Sequence, residues 1–159
     1  MPCINVKEFL DNQGINYEII LHRRSETAQA TASAAHLAAS KLAKTVMVKV
    51  DGGLHMAVVP ASQRLHLGLL KAATGARSVT LASEAEFQAS FPGCEPGAMP
   101  PFGNVYGLPV WVDEDVAASP QIVFNAGTHT ELVRLAYQDF ARVVAPRVVS
   151  LTMRLAQAA

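Results

Sequence analysis

The sequence predicts an α+β fold: a mostly antiparallel mixed sheet with flanking helices. Three observations lead there. Residues 43–50 and 54–59 are two apolar, β-branched runs joined by Asp51-Gly52-Gly53, which is hairpin chemistry. Apolar residues at helical spacing recur between the strand-like runs, as at Val6, Phe9 and Leu10 and again at Tyr137, Phe140, Val143 and Val144. Half of the 159 residues are apolar and 16% are charged, so the chain can bury a core of its own. We expect one domain over residues 1–159.

Each element has a local reason. Residues 6–12 read as a short helix stopped at Gly14, and residues 15–21 as a strand. The alanine-rich stretch 27–39 has no proline and reads as a second helix. After the hairpin, Leu65, Leu69 and Leu70 suggest a helix ended near Gly75, followed by a short strand at 78–81. Ser83 with Glu86 has capping-box spacing and opens a helix through Gln88. Strands are expected at 110–112, 121–125, 131–135 and 148–151. The 137–144 helix stops before Pro146.

Composition narrows the function. Thirteen basic and thirteen acidic residues give zero formal charge, so there is no global footprint for duplex nucleic acid, though a single-stranded end remains open. No apolar run reaches transmembrane length and no signal pattern opens the chain, so a cytoplasmic location is expected. Cys3 and Cys94 are too few for a disulfide framework, and the expectation is reduced thiols. His22, His36, His55, His66 and His129 lack metal-site spacing, and no metal or cofactor is expected. His55 and His66 look like ordinary surface or strand positions, and Asp113-Glu114-Asp115 like a solvated turn. There is neither a Gly-x-Ser-x-Gly elbow nor a classical phosphate loop.

Three stretches remain. Residues 91–104 hold four of the nine prolines and three of the ten glycines, yet also Phe91, Met99 and Phe102. This is a stiff, partly apolar loop, suited either to packing or to close backbone approach to a ligand. Lys44 is in phase with Val46, Val48 and Val50, an expensive place for a cation unless its stem lies along apolar surface and its ammonium reaches water or an anion. Lys49, out of phase, should be solvated. Between two strands, Asn125-Ala126-Gly127-Thr128-His129-Thr130 offers backbone donors and an imidazole, although a histidine there is more often a satisfied turn residue.

In this order, Ala43-Lys44-Thr45-Val46, Pro96-Gly97-Ala98-Met99-Pro100-Pro101-Phe102-Gly103 and Asn125 to Thr130 resemble the YbaK/prolyl-tRNA synthetase-associated family of aminoacyl-tRNA editing domains, over roughly residues 6–149. Gly97 and Pro101 fit the family's Gly-x-x-x-Pro loop. The resemblance implies trans-editing, a metal-free attack of water on the ester of a mischarged tRNA, assisted by the tRNA's own ribose hydroxyl. By that resemblance Lys44, Gly97 and Gly127 carry catalysis, with Lys44 at the tRNA 3′ end. Thr45, Val46, Ala98, Met99, Pro101, Phe102, Asn125, Thr128 and His129 would bind substrate. Asn104-Val105 stands where Ala-tRNA deacylases of the family have Asn-Asp. A pocket of Ala98 and Met99, with Met47 or Val46 nearby, suits a small amino acid such as Ala, Ser or Thr, on tRNA(Pro) or another tRNA. The implied partner is the aminoacyl-tRNA acceptor end, with an aminoacyl-tRNA synthetase as a further candidate and no membrane. Two other readings stay open: a non-catalytic binding module for a nucleotide, amino acid or protein, and a Cys94-dependent hydrolase.

Overall fold

Eight strands form two sheets in this computed structural model, which describes residues 5–88, 94–95 and 97–153. The chain begins with α1 (Val6–Asn12), capped by the Asn5 side chain accepting from the Glu8 N–H, and continues into β1 (Tyr17–Leu21). Helix α2 (Ala28–Ala34) leads to the hairpin of β2 (Ala43–Val50) and β3 (Gly53–Pro60). Then come α3 (Leu67–Thr74), β4 (Val79–Leu81) and α4 (Glu84–Gln88). After the Pro/Gly loop follow β5 (Val110–Asp113), α5 (Glu114–Ala118), β6 (Gln121–Asn125), β7 (Glu131–Ala136), α6 (Tyr137–Val144) and β8 (Arg147–Val149).

The smaller sheet has the order β1-β7-β6 and the larger β4-β2-β3-β5-β8. Pairing is antiparallel except where β5 joins β3 and β8 joins β5, both parallel. The predicted class and mixed pairing hold, but the strands divide between two sheets. The main core fills the space between them: Met47, Met56, Val58, Val110 and Val112 from one sheet meet Ile122, Phe124, Val133 and Leu135 from the other, with α1 and α6 contributing Leu10 and Phe140. A second cluster lies where Leu70 of α3 meets Val48, Ala57, Val59 and Trp111. A third joins Ala32 of α2 to Leu42, Ala61, Val123 and Leu132.

Several expectations need correction. The alanine-rich helix ends at Ala34 because His36 takes a left-handed φ of 57° and the Leu37 N–H reaches back to the Ala32 carbonyl at 2.8 Å. That terminal hydrogen-bond pattern and the packing of Leu37 on the third cluster outweigh alanine's helix propensity. Asp113 is not in a solvated turn. It is 0% exposed, caps α5 through the Asp115 N–H at 3.1 Å, and accepts the Leu151 N–H at 2.8 Å. The surface or strand positions expected for His66 and His55 hold: exposed His66 caps α3 by accepting from the Leu69 N–H, and half-buried His55, in β3, accepts from the Trp111 indole N–H at 3.0 Å. Lys49 is partly covered and pairs with Glu86 at 2.7 Å. The capping box is present: Glu86 accepts from the Ser83 N–H and Ser83 Oγ from the Glu86 N–H, and the Lys49 and Ser83 contacts bring the Glu86 carboxyl down to about 2.

Replacing Asp113 leaves buried backbone donors without acceptors. We expect Asp113→Ala to destabilise the fold by roughly 2–4 kcal/mol, the sum of a lost cap and an orphaned donor. Urea unfolding of both proteins measures this; a loss under about 0.5 kcal/mol, the scale of an ordinary surface substitution, would contradict the role given to Asp113.

Candidate active site

The Pro/Gly loop is planted in the core by Phe102. Its ring is fully buried and meets Phe9, Phe124 and Phe140 edge-on at centroid distances of 5.3, 5.5 and 5.7 Å. Beside it Gly103 has no room for a side chain: a Cβ would lie 2.7 Å from Val110 Cγ2 and 2.8 Å from the Leu108 carbonyl. Ahead of this anchor the chain makes a tight turn. The Ala98 N–H donates to the Glu95 carbonyl at 3.0 Å, and Gly97, third residue of the turn, has φ 81°. A turn of this kind asks for glycine there. Gly97 is exposed, while Ala98, Met99, Pro100 and Pro101 behind it are buried. The earlier part of the loop, including Phe91, Pro92, Gly93 and Pro96, lies outside the described residues.

The turn is joined to the β6–β7 hairpin. The Glu95 N–H donates to the Gly127 carbonyl at 3.0 Å, and a Glu95 carboxylate oxygen accepts the His129 N–H at 3.4 Å. Gly127 has φ 98°, and the Ala126 N–H to Glu131 carbonyl bond at 3.1 Å closes the hairpin. The side chain of His129 is buried at 2% exposure, with its Cε1 3.7 Å from where a Gly97 Cβ would stand. Its Nε2 is 3.5 Å from a Glu26 carboxylate oxygen and 4.0 Å from one of Glu95.

A third segment, residues 22–26, completes the junction. The His22 N–H donates to the Thr130 carbonyl and the Ser25 N–H to the His129 carbonyl. Arg24 bridges Glu26 and Glu95 at 2.9 and 2.8 Å. The Arg24 guanidinium is the main reason the Glu95 carboxyl titrates below its usual range, and Arg24 is itself pushed up by Glu95 and Glu26. Nothing in the sequence singled out Arg24, Glu26 or Glu95; the only hint was that Glu95 opens a Glu-Pro-Gly turn.

Two polar groups here are unspent. The N–H groups of Gly97 and Gly127 donate to no acceptor among the described residues. Gly127 is buried, so its donor is an exception to the general pairing of buried backbone groups. Two residues earlier Asn125 is 7% exposed, and its Oδ1 accepts no hydrogen bond from the described residues. Unpaired groups of both kinds, donors and an acceptor, thus fall within one hairpin and the turn beside it, where a polar ligand could use them.

Lys44 occupies a different position. It faces Val59 across the hairpin and follows Leu42 on one side of β2. Leu42 and Val123 share the third cluster, and Asn125 is the next residue after Val123 on its side of β6, so Lys44 and Asn125 border the same cluster. Met99 and Phe102 pack instead into the main core with Ala43 and Met47, from the opposite side of β2. Half-exposed Thr45 sits between those two on that opposite side. Among the described residues no hydrogen bond or ion pair ties Lys44 to either loop. Burial, and secondarily the charge of Arg64, hold its ammonium below the ordinary lysine value. Val46 packs against the second cluster. The structure thus brings together Gly97, Gly127, Thr128 and His129, with Asn125 beside them, and sets Lys44 along the third cluster.

Cys94 corrects two expectations. It is 3% exposed and disulfide-bonded, so it is not a reduced thiol and offers no thiolate for nucleophilic attack. The spacing of two cysteines along a chain says nothing about their separation in space. Among the described residues no three His, Cys, Asp or Glu side chains group as a metal site, and no helix is long and apolar enough to cross a membrane.

A profile of the aminoacyl-tRNA editing domain matches residues 22–143, which takes in all three segments of this junction. The chain belongs to that family. As an aminoacyl-tRNA editing domain it is a deacylase, an enzyme that hydrolyses the ester between an amino acid and tRNA. Among solved structures it resembles a proposed trans-editing enzyme for prolyl-tRNA synthetase, at 22% identity and TM-score 0.81 over 94% of this chain and 96% of that one. A hypothetical protein matches at 19% identity and TM-score 0.82, over 94% of this chain and 100% of its own. These two likenesses establish the shared fold. No curated protein sequence matches significantly.

The Arg24–Glu95 pair and Gly97 yield a prediction each. Arg24→Ala should return the Glu95 carboxyl towards its ordinary value of 4.5, read by carboxyl-carbon NMR titration. With the pair intact, its contribution is present above that value and fades as pH falls through the depressed one. Gly97→Ala meets no clash but must hold a left-handed φ, so a stability loss of about 1–2 kcal/mol in urea unfolding is expected. An unchanged Glu95 titration in the first variant, or unchanged stability in the second, would count against these assignments.

Proposed function

We propose that this editing domain acts in trans on a tRNA charged with a small amino acid such as Ala, Ser or Thr, tRNA(Pro) being the first carrier to test. The observation that carries the reading is the pair of unspent backbone donors at Gly97 and Gly127, beside the orphaned Asn125 acceptor. Hydrolysis of the ester builds negative charge on the carbonyl oxygen. A preorganised N–H aimed at that oxygen contributes ~3 kcal/mol to the transition state. Both glycines keep positive φ and carry no Cβ, and at exposed Gly97 the ester can approach the backbone closely.

In the proposed mechanism, water attacks the ester carbon, assisted by the free ribose hydroxyl of the terminal nucleotide. The C–O bond to the tRNA breaks, releasing the amino acid and leaving a hydroxyl on the ribose. Asn125, Thr128, Thr45 and His129 orient the substrate. Lys44, on its own side of β2, takes the terminal nucleotide rather than the reacting carbonyl. Ala98, Met99, Pro101 and Phe102 act from beneath: their side chains are buried, so they shape the wall and set the position of Gly97. Val46 supports β2 in the same way. Selection by size fits the need for editing, since a synthetic site separates neighbours differing by one methylene by only ~1–3 kcal/mol.

Deacylation of a full aminoacyl-tRNA panel tests this. Faster loss of Ala, Ser or Thr than of larger residues is expected, and Lys44→Ala should raise KM for aminoacyl-tRNA while the fold, read by circular dichroism, stays intact. Cys94→Ala should deacylate like the parent. Uniform, unaccelerated decay across the panel would leave a binding module as the better description.

A further inference from the structure

Lys44 and Arg64 are neighbouring cations that take part in none of the eight ion pairs formed by the described side chains. Exposed Arg23, Lys41, Lys71, Arg77 and Arg147 take part in none either, but Lys44 and Arg64 are set on one surface by the fold. The fold fixes their relation. The chain leaves β3 at Pro60, opposite Ala43, and the Ala61 N–H donates to the Leu42 carbonyl at 2.7 Å, two residues before Lys44. The Gln63 N–H then returns to the Pro60 carbonyl, and Leu65 forms a bridge with Thr152. Leu65 packs against the cluster that holds Val46 and Val59. Val46 is the next residue after Lys44 on its face of β2, and Val59 is its partner across the hairpin. Arg64, held between the turn and Leu65, is therefore at the rim of the surface from which Lys44 emerges, and it is exposed.

We propose that Arg64 is a second backbone-gripping residue, which binds a phosphate of the acceptor strand next to the nucleotide held by Lys44. This extends the reading given under Proposed function and rests on it. The charge pattern supports it. Lys7, Arg24, Lys49, Arg134 and Arg142 each have a carboxylate partner, whereas Lys44 and Arg64 have none among the described residues and border the same surface. Leaving two like charges side by side costs free energy in the unliganded protein. A dianionic stretch of nucleic acid recovers that cost on binding, with release of counterions. Arg64 is close enough for its charge to depress the Lys44 ammonium, second only to burial. The guanidinium fork fits phosphate oxygens, whereas the flexible lysine supplies a point charge.

The test compares two substrates. One is alanyl-tRNA; the other is the alanyl ester of adenosine, which has the ester and ribose hydroxyl but no phosphate. Arg64→Ala should raise KM for alanyl-tRNA about threefold to tenfold with kcat unchanged, and reduce the salt slope of tRNA binding by about one. Arg64→Lys should restore most of the loss and Arg64→Glu deepen it, while alanyl-adenosine is hydrolysed at the parental rate by all three. Unchanged KM and salt slope, or equal damage to both substrates, would overturn the proposal. Retention of uncharged tRNA on filters separates the two layers. If the parent hydrolyses neither ester, the deacylation reading of this site falls. Arg64 is then judged by the salt slope of tRNA retention alone, and an unchanged slope in Arg64→Ala overturns it too.

Discussion

The burial of Phe102 is the constraint on which the site depends. Its ring is surrounded by Phe9 of α1, Phe124 of β6 and Phe140 of α6, so one side chain of the Pro/Gly loop is gripped by elements from both ends of the chain. Aromatic contacts of this edge-on kind add about 0.5–1.5 kcal/mol each beyond the area they bury. A loop rich in proline and glycine has little hydrogen bonding of its own with which to hold a shape. Here position comes from the core, through Phe102 and the space that only Gly103 can occupy. Phe124 is also the residue before Asn125, so the anchor of the loop and the base of the β6–β7 hairpin are in contact. The two backbone walls of the site are registered by that contact below and by the Glu95–Gly127 hydrogen bond above.

This explains why the exposed part of the loop can be bare backbone. If Gly97 had to be positioned by its own side chain, no room would remain for an ester. With the neighbours Ala98 and Met99 buried, rigidity is supplied from behind and the exposed surface is peptide. The same logic holds for Gly127, whose carbonyl is used to bind Glu95 while its N–H is left over. A preorganised donor costs the enzyme nothing at the moment of reaction, since its orientation was fixed when the core formed.

The sequence made the fold largely legible, and the site only in pieces. The helix at Val6–Asn12, the strand Ala43–Val50 and the strand Gln121–Asn125 follow from spacing and turn chemistry, because local pattern and tertiary packing agree there. The alanine-rich helix ran long in prediction because propensity does not register a left-handed His36. Asp113 was misplaced for a related reason: an acidic triplet looks solvated unless one knows that Leu151 returns beside it from 38 residues away. Lys44, Gly97 and His129 were visible as residues that break the expectations of their surroundings. Arg24, Glu26 and Glu95 were not, since an ion pair between positions 24 and 95 leaves no trace in either local sequence.

Under the proposed function, the two sides of β2 divide the labour that a deacylase must perform. On one side the main core holds the Pro/Gly loop, and the chemistry there needs fixed dipoles and exclusion of water rather than net charge. On the other, Lys44 and Arg64 have no acidic partner among the described residues, and in this reading their charge acts over a longer range on a polyanion. Keeping these apart has a physical advantage. A lysine aimed at the carbonyl would stabilise the ground-state ester and the transition state alike, whereas donors placed for the oxyanion favour the transition state. A cation at the phosphates strengthens binding of every tRNA equally. Under the proposed function, the pair at this rim holds the acceptor end with its ester towards the glycines, and zero net charge limits long-range attraction by the chain as a whole.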